Sequence, residues 1–329
     1  MGAKYSINQN SHSQNNKKFR TVSQNLRLST NIKSIKRHSP TPPMSPPGTN
    51  SVQSDASLVS ATNSFNYIDN TQKGETDRNH VKHFGLKVLF EGNVLKSISD
   101  KLDFTSSELR VLDVGCGSGT WLLDMATEYP NVQFTGIDQI SSIPQDIRPS
   151  NIDFSVQDVL CGLSFEDNSF DFVQMRLFSM TFDRAYWVQA LAEVYRVLKP
   201  GGYIQLLEPR YDDTGDEFVR DYSTKVVSIL NANDQDPNIC ENLTPLLENN
   251  GYTPVEFVEK IVNLKTHPLR NEFLYIIRLT LDSCKPYVIK ICEMTSDEQY
   301  LEFQEQYMEH LIKSSESVWT ACAGMKPLN

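Results

Sequence analysis

Large apolar side chains are sparse through residues 3–77, where Ser, Asn, Gln, Thr and Pro dominate, and frequent after that. The first stretch has too little apolar surface to offset the entropy of ordering it. A disordered basic tail is therefore expected over residues 1–75 and a folded domain over 76–329. From about Thr76, the residues Val81, Phe84, Val88, Leu89, Leu95, Ile98 and Leu102 recur at three-, four- and seven-residue spacings. That pattern predicts amphipathic helix, interrupted near Gly92-Asn93. Residues 110–114 then form a short, mostly apolar run of the kind that makes a buried parallel strand. Trp121, Leu122, Met125, Ala126 and Tyr129 return to helical spacing. Residues 132–138, 152–156 and 170–175 predict strands two to four. Trp187, Ala190, Leu191, Val194, Tyr195 and Leu198 mark one face of a helix ended by Pro200-Gly201-Gly202, and residues 203–207 predict strand five. Strands alternating with helices predict an α/β, doubly wound parallel sheet, which binds ligands at the carboxyl ends of its strands.

The last third continues the theme. Residues 243–248 read as a helix ended by Gly251, and 255–262 alternate as a sixth strand. Residues 270–294 and 297–314 predict two added helices, and 318–324 a final strand. Phe273, Tyr275, Ile276, Leu279 and Tyr287 of the added helices serve either to roof an acceptor pocket or to pack the fold or a dimer face.

Charge narrows the partners. Lys and Arg total 31 against 41 Asp and Glu, a net of −10. Residues 1–50 hold eight of the bases and no acid; 31 less those eight leaves 23 bases against 41 acids, so the remainder carries −18. A domain that acidic is a poor partner for nucleic acid, which needs clustered cations. The six cysteines are scattered with no CxxC pair, which argues against a disulfide framework or a metal site and for a reducing, intracellular location. No apolar run approaches the roughly 20 residues that span a bilayer. Residues 1–6 fit the M-G-x-x-x-[ST] pattern for myristoylation of Gly2. With Lys17, Lys18 and Arg20 as a second signal, the tail would supply a peripheral membrane contact. Lys33, Lys36 and Arg37 offer a nuclear address instead, and a cytoplasmic location needs neither. The Ser39–Pro47 stretch is extended, and its Ser/Thr-Pro steps suit a proline-directed kinase or a plain spacer.

The candidate chemistry lies at the first predicted strand. Gly115-Cys116-Gly117-Ser118-Gly119 follows it and leads into a helix, so a ligand can approach the backbone closely. The spacing is G-x-G-x-G, not the G-x-G-x-x-G of dinucleotide binding. Asp113, two residues before the first glycine, would repel a pyrophosphate and attract a sulfonium compound bearing an α-amino group; its bland alternative is to cap the loop. Asp138 ends strand two, 19 residues past Gly119, and a carboxylate there can accept both hydroxyls of a ribose. Asp158, after strand three, either accepts from an adenine amine or makes a turn.

The motifs VLDVGCGSGTW (111–121), FTGID (134–138), QDVL (157–160), FDFVQMR (170–176) and RVLKPGG (196–202) resemble, in order and spacing, the class I S-adenosylmethionine-dependent methyltransferases. The look is closest to a fungal group of methyltransferase-domain proteins, some of them regulators of secondary metabolism. The resemblance implies a Rossmann-like seven-stranded sheet whose final strand is antiparallel. It places a cofactor-binding core at about 109–208 and acceptor-side and added helices at about 209–316. It implies S-adenosyl-L-methionine as cofactor, its methionine moiety over Gly115, Gly117 and Gly119 with Asp113 near the amino group, and its ribose on Asp138. Adenine would lie against Asp158 and the Val159 backbone; Cys116 and Gln139 complete the set. Met175 and Arg176 would line the methyl-transfer side as the residues nearest the acceptor. A sulfonium is an activated methyl donor, so the enzyme has mainly to align the acceptor and, for oxygen or nitrogen, manage one proton. No residue is a clear general base. Arg176 orients an acceptor carboxylate or pairs with a neighbouring acid, and His80 and His83 are expected at the surface rather than over the site. Methyl transfer to a small metabolite or a protein is the leading reading. A non-catalytic cofactor-binding or regulatory protein on the same fold is the alternative. The glycine spacing and Asp113 disfavour an NAD-dependent oxidoreductase. Gln174-Met175-Arg176-Leu177 stands where many base-amine methylators carry Asn/Asp-Pro-Pro-aromatic, which again disfavours nucleic acid as acceptor.

Overall fold

The computed structural model describes residues 73–140, 148–211 and 214–328. The readings of residues 1–72, including the Gly2 motif and both basic clusters, lie outside them, as do Asp212 and Asp213, which follow strand five and are expected, with Arg210 and Tyr211, to shape the acceptor pocket. Seven strands form one sheet: β1 (Arg110–Val114), β2 (Gln133–Asp138), β3 (Ile152–Val156), β4 (Phe170–Arg176), β5 (Leu198–Pro209), β6 (Thr253–Asn263) and β7 (Glu316–Met325). Their order across the sheet is β3-β2-β1-β4-β5-β7-β6. The first five pair in parallel, and β7 runs antiparallel to both β5 and β6. The order reverses between β1 and β4, which opens a crevice at their carboxyl ends.

The helices are α1 (Lys73–Leu89), α2 (Lys96–Ser99), α3 (Thr120–Glu128), α4 (Arg184–Val197), α5 (Glu217–Ala232), α6 (Leu243–Asn249), α7 (Arg270–Ser283), α8 (Lys285–Ile291) and α9 (Asp297–Ser314). They cover both faces of the sheet, and successive strand residues point to opposite faces. Val111, Phe134 and Phe172 pack with Trp121 and Met125 of α3 and Leu86 and Leu89 of α1. Leu112, Ile137, Val173 and Met175 pack on the other side with Trp187, Leu191 and Val194 of α4 and Leu247 of α6. Burial on both faces is why these strands read as nearly unbroken apolar runs.

Three elements differ from the sequence reading. In α1 the buried face carries Arg78, His83, Leu86 and Leu89, while Phe84 and Val88 are exposed. The inward side is polar because Asp124 of α3 draws it in: the same Oδ2 lies 3.0 Å from His83 Nε2 and takes bonds of 2.7 Å each from Lys87 Nζ and Asn93 Nδ2. Helix α4 stops at Val197, because Pro200 disfavours helical backbone at the residue before it, and β5 already begins at Leu198. The first added helix is two, α7 and α8, broken at Cys284. Pro286 would remove a hydrogen bond from a helix interior but fits the first turn of α8.

Helices α1 and α7 approach closely at Gly85, where a Cβ would lie 3.3 Å from Ile276 Cδ1. The link from α1 to α2 is fastened to the sheet by buried Gln205 of β5, which accepts from Leu95 N at 2.7 Å and donates to Asn93 O at 3.2 Å. Gln205→Leu would bury the Leu95 N–H without an acceptor. It should lower the unfolding free energy by about 1–3 kcal/mol, read as a shifted urea midpoint.

Candidate active site

A cavity of about 600 Å³ opens at the carboxyl ends of β1, β2 and β4 and continues under α5, α7, α8 and α9. That size lies within the range of single small-molecule sites. Its floor is the glycine loop. Gly115, Gly117 and Gly119 have φ of 66°, 54° and 72°, a left-handed region in which other residues are strained. A Cβ on Gly115 would lie 2.5 Å from Phe178 Cζ, whereas one on Gly117 would meet only Asn79 Nδ2, at 3.9 Å. The backbone at Gly117 therefore faces open room.

Asp138 closes the loop from β2. Its Oδ2 accepts from Gly117 N at 2.8 Å and its Oδ1 from Ile140 N at 3.0 Å. Burial pushes this carboxyl above its ordinary range, and the Gly117 and Ile140 N–H groups oppose the rise. Gln139 N–H also bonds this carboxyl; two oxygens offer about four acceptor directions, so capacity remains toward the cavity that Asp138 lines. Asp158 also lines it, as does Gln139, but Asp158 Oδ1 accepts from Leu160 N at 2.9 Å and so makes the turn at Val159–Cys161 as well.

Asp113 is 3% exposed and faces a second, smaller chamber of about 80 Å³ on the other side of the loop. Gly115, Gly117 and Arg176 border both chambers, and His83, Cys116 and Trp121 border only the second. Burial raises the Asp113 carboxyl to about 7, opposed by the Arg176 guanidinium. Burial and the nearby acids push the Cys116 thiol far up, so it carries no thiolate. Arg176 forms no ion pair within 4.0 Å among the described residues; its guanidinium lies 6.0 Å from the Trp121 ring centre. Of its two expected roles, pairing with a neighbouring acid is thus absent as a contact among the described residues, and Asp113 and Asp124 act on Arg176 only at longer range, against its burial.

Met175 lies elsewhere. Residues 172, 174 and 176 of β4 face α1 and α3, so the intervening Met175 points into the opposite core, fully buried. Its side chain does not line the cavity. Leu177 and Phe178 do so instead. Leu177 is left-handed, with φ 69°. That turn is held by Glu208, fully buried at the end of β5: Oε1 accepts from Phe178 N at 2.8 Å and Oε2 from Ser179 N at 3.1 Å. Burial raises the Glu208 carboxyl to about 7 against those bonds. Ser179 Oγ continues the chain by donating to Tyr211 OH at 3.3 Å.

Arg78, Asn79 and Lys82 of α1 also line the cavity, which sequence reasoning missed. Polar positions on an amphipathic helix read as its solvent side, and nothing in the spacing separates a cavity from solvent. Of the residues expected to form a roof, Ile276 and Tyr287 line the cavity. Phe273 packs behind it against Trp319, ring centres 5.8 Å apart, and Tyr275 is exposed. His83 is buried, contrary to a surface position. Among the described residues no cluster of three or more His, Cys, Asp or Glu is placed to hold a metal ion.

Residues 111–202 match the family model described as a methyltransferase domain. The match supports a class I S-adenosylmethionine-dependent methyltransferase domain over these residues. The chain is 36% identical over 110 residues to the secondary metabolism regulator LAE1 of Cochliobolus heterostrophus, covering 32% of this chain and 35% of that protein. It is 32% identical over 146 residues to the N-methyltransferase verN of Clonostachys rogersoniana, covering 43% and 49%. The matches thus span about a third and about half of those relatives. Among solved structures, phosphoethanolamine N-methyltransferase 2 of Haemonchus contortus in complex with S-adenosyl-L-methionine aligns at 18% identity and a TM-score of 0.45, over 78% of this chain and 58% of that one.

Substitutions at two positions probe the frame of this domain. Glu208→Ala leaves the Phe178 and Ser179 N–H groups without an acceptor and should cost about 2–4 kcal/mol in urea unfolding; Glu208→Gln, which keeps one acceptor oxygen, should cost less. Burial lowers the His83 imidazole to about 4, against the opposing bond to Asp124. The unfolded chain therefore takes up this proton first as pH falls. His83 contributes stability that is complete above about 6.5 and declines by about 3 kcal/mol as pH falls to 4. Asp113 and Glu208, raised to about 7, act with the opposite sign: each contributes stability in acid that is lost as pH rises toward 7. In wild type the two effects oppose each other. In His83→Asn the acid-side decline should disappear, so that the variant-minus-wild-type difference in unfolding free energy becomes more favourable to the variant from pH 6.5 to 4.

Proposed function

We propose that this protein transfers a methyl group from S-adenosylmethionine to a small-molecule acceptor. One observation carries the reading: the cleft at the glycine loop and the room under α5, α7, α8 and α9 are one cavity, with space for an acceptor beside a cofactor. The residues present suit that cofactor. Asp138 presents acceptor oxygens at the end of β2, Gly117 leaves its backbone uncovered, and Asp113 is a buried carboxyl that an ammonium group would favour in its ionised form. Asp138 and Gln139 would take the ribose, Asp158 and Val159 the adenine, and Gly115 and Gly117 the methionine portion; Cys116 borders only the small chamber and Gly119 neither. Arg78, Lys82 and Arg176 bring positive charge to the same end for a carboxylate.

The bound sulfonium supplies an activated methyl group. This chain's own part is to hold the acceptor, exclude water and manage a proton. Helices α5, α7, α8 and α9 line the acceptor room. Tyr211, whose OH accepts from Ser179 Oγ and is so tied to the turn that Glu208 fixes, lines it too. A cofactor-binding regulator is the second reading, favoured by the name of the LAE1 relative.

Thermal unfolding of the full chain with S-adenosylmethionine, S-adenosylhomocysteine or NAD tests the cofactor. A ligand at 100 times its dissociation constant adds about 2.7 kcal/mol, which should raise the midpoint by roughly 5–10 °C. The rise is expected with both adenosyl compounds, absent with NAD, and lost in Gly117→Arg, whose side chain would fill the loop side of the cleft. No rise on a folded sample would overturn the cofactor assignment.

A further inference from the structure

The cavity's charged side chains are not evenly spread. Arg78, Lys82, Asp138, Asp158 and Arg176 gather at the strand ends and α1. Arg78 and Lys82 lie one helical turn apart on α1, and Lys82 and Arg176 also border the small chamber with Asp113. The far end is different. Its wall is built from Ile276, Ile277 and Leu281 of α7, Val288 and Ile291 of α8, Val226 of α5 and Leu311 of α9. Trp319 of β7 and Leu264 add to it, and its uncharged polar groups are those of Tyr222, Ser223, Tyr287, Tyr307 and Ser317. The polar group that α7 brings is already used: Thr280 Oγ1 donates to Ile276 O at 2.8 Å. Two charged residues reach this end, Arg210 and Glu316, and they carry opposite signs. Arg210 is engaged by Glu241, Nη1 to Oε1 at 3.4 Å.

A charged acceptor lodged there would give up its hydration against apolar walls with no excess of opposite charge to replace it. An apolar body would release ordered water from the same walls. We propose that the roofed end binds an uncharged, largely apolar small molecule as the methyl acceptor, its body against α7 and α8 and its reacting group toward the glycine loop. This rests on the methyltransferase reading for what the pocket is used for, but the pocket's preference follows from its walls alone.

Binding of 2-naphthol, an uncharged apolar molecule with one hydroxyl, to the full-length chain tests the assignment, followed by its fluorescence near neutral pH. 2-Naphthoate provides the same body with a charge. With S-adenosylhomocysteine present at saturation, 2-naphthol should still bind, and roughly ten-fold or more tighter than 2-naphthoate. Thr280→Trp and Ile277→Trp fill the far end from half-buried positions on α7 and should each weaken 2-naphthol by roughly ten-fold or more; retained S-adenosylhomocysteine binding shows that they fold. Asp138→Ala should do the reverse. Equal binding of the charged analogue, 2-naphthol binding that neither tryptophan alters, or no 2-naphthol binding to protein that takes up S-adenosylhomocysteine would overturn the proposal. Should the naphthol pattern hold while S-adenosylhomocysteine fails to bind wild type, the apolar site stands and the cofactor reading falls.

Discussion

The cleft depends on one buried carboxylate. Glu208 lies at the end of β5 with both oxygens committed to backbone N–H groups of the chain leaving β4. That chain turns through Leu177 in a left-handed conformation, which a branched residue with a Cβ adopts only when its surroundings hold it there. The turn sets Phe178 against Gly115 and Ser179 toward Tyr211. Without the Glu208 bonds these two contacts would have no common anchor. The floor of the cofactor end and the base of the acceptor end are thus set by a residue that does not itself line the cavity.

A second constraint comes from α1. It carries cations to the cavity on one side and is locked to α3 by a cluster centred on Asp124, which holds His83, Lys87 and Asn93 together. Gln205 locks the segment that follows it to the sheet. The cover over the glycine loop is therefore joined to the domain by polar bonds made in buried or half-buried places, where their loss is costly. Its apolar contacts with α7 are close because Gly85 has no side chain.

Much of this was legible from the residues. Period-two and period-3.6 patterns located all seven strands and most helices, because a sheet covered on both sides writes its burial directly into the sequence. The glycine loop, Asp138 and Asp158 were legible because each occupies a strand end, and strand ends in a doubly wound sheet meet at one rim. What escaped is equally physical. Met175 and Arg176 are neighbours in sequence but lie on opposite faces of β4, and only register shows which one reaches the ligand side. His83 is buried because Asp124, distant in sequence, meets it. The break at Cys284 was written by Pro286 but masked by continuous apolar spacing on both sides. Residues of α1 and α5 that face an internal cavity carry the same polar signature as residues that face water.

The roof helices α7, α8 and α9 all fall between β6 and β7, while the glycine loop, Asp138 and Asp158 lie before β4. One continuous insertion therefore builds most of the acceptor wall, and it shares no residue with the strand ends on the opposite side of the cavity. A change confined to that insertion would reshape the far wall of the cavity while leaving the glycine loop and the strand ends untouched. The two ends of one cavity are in this sense built from separate pieces of chain.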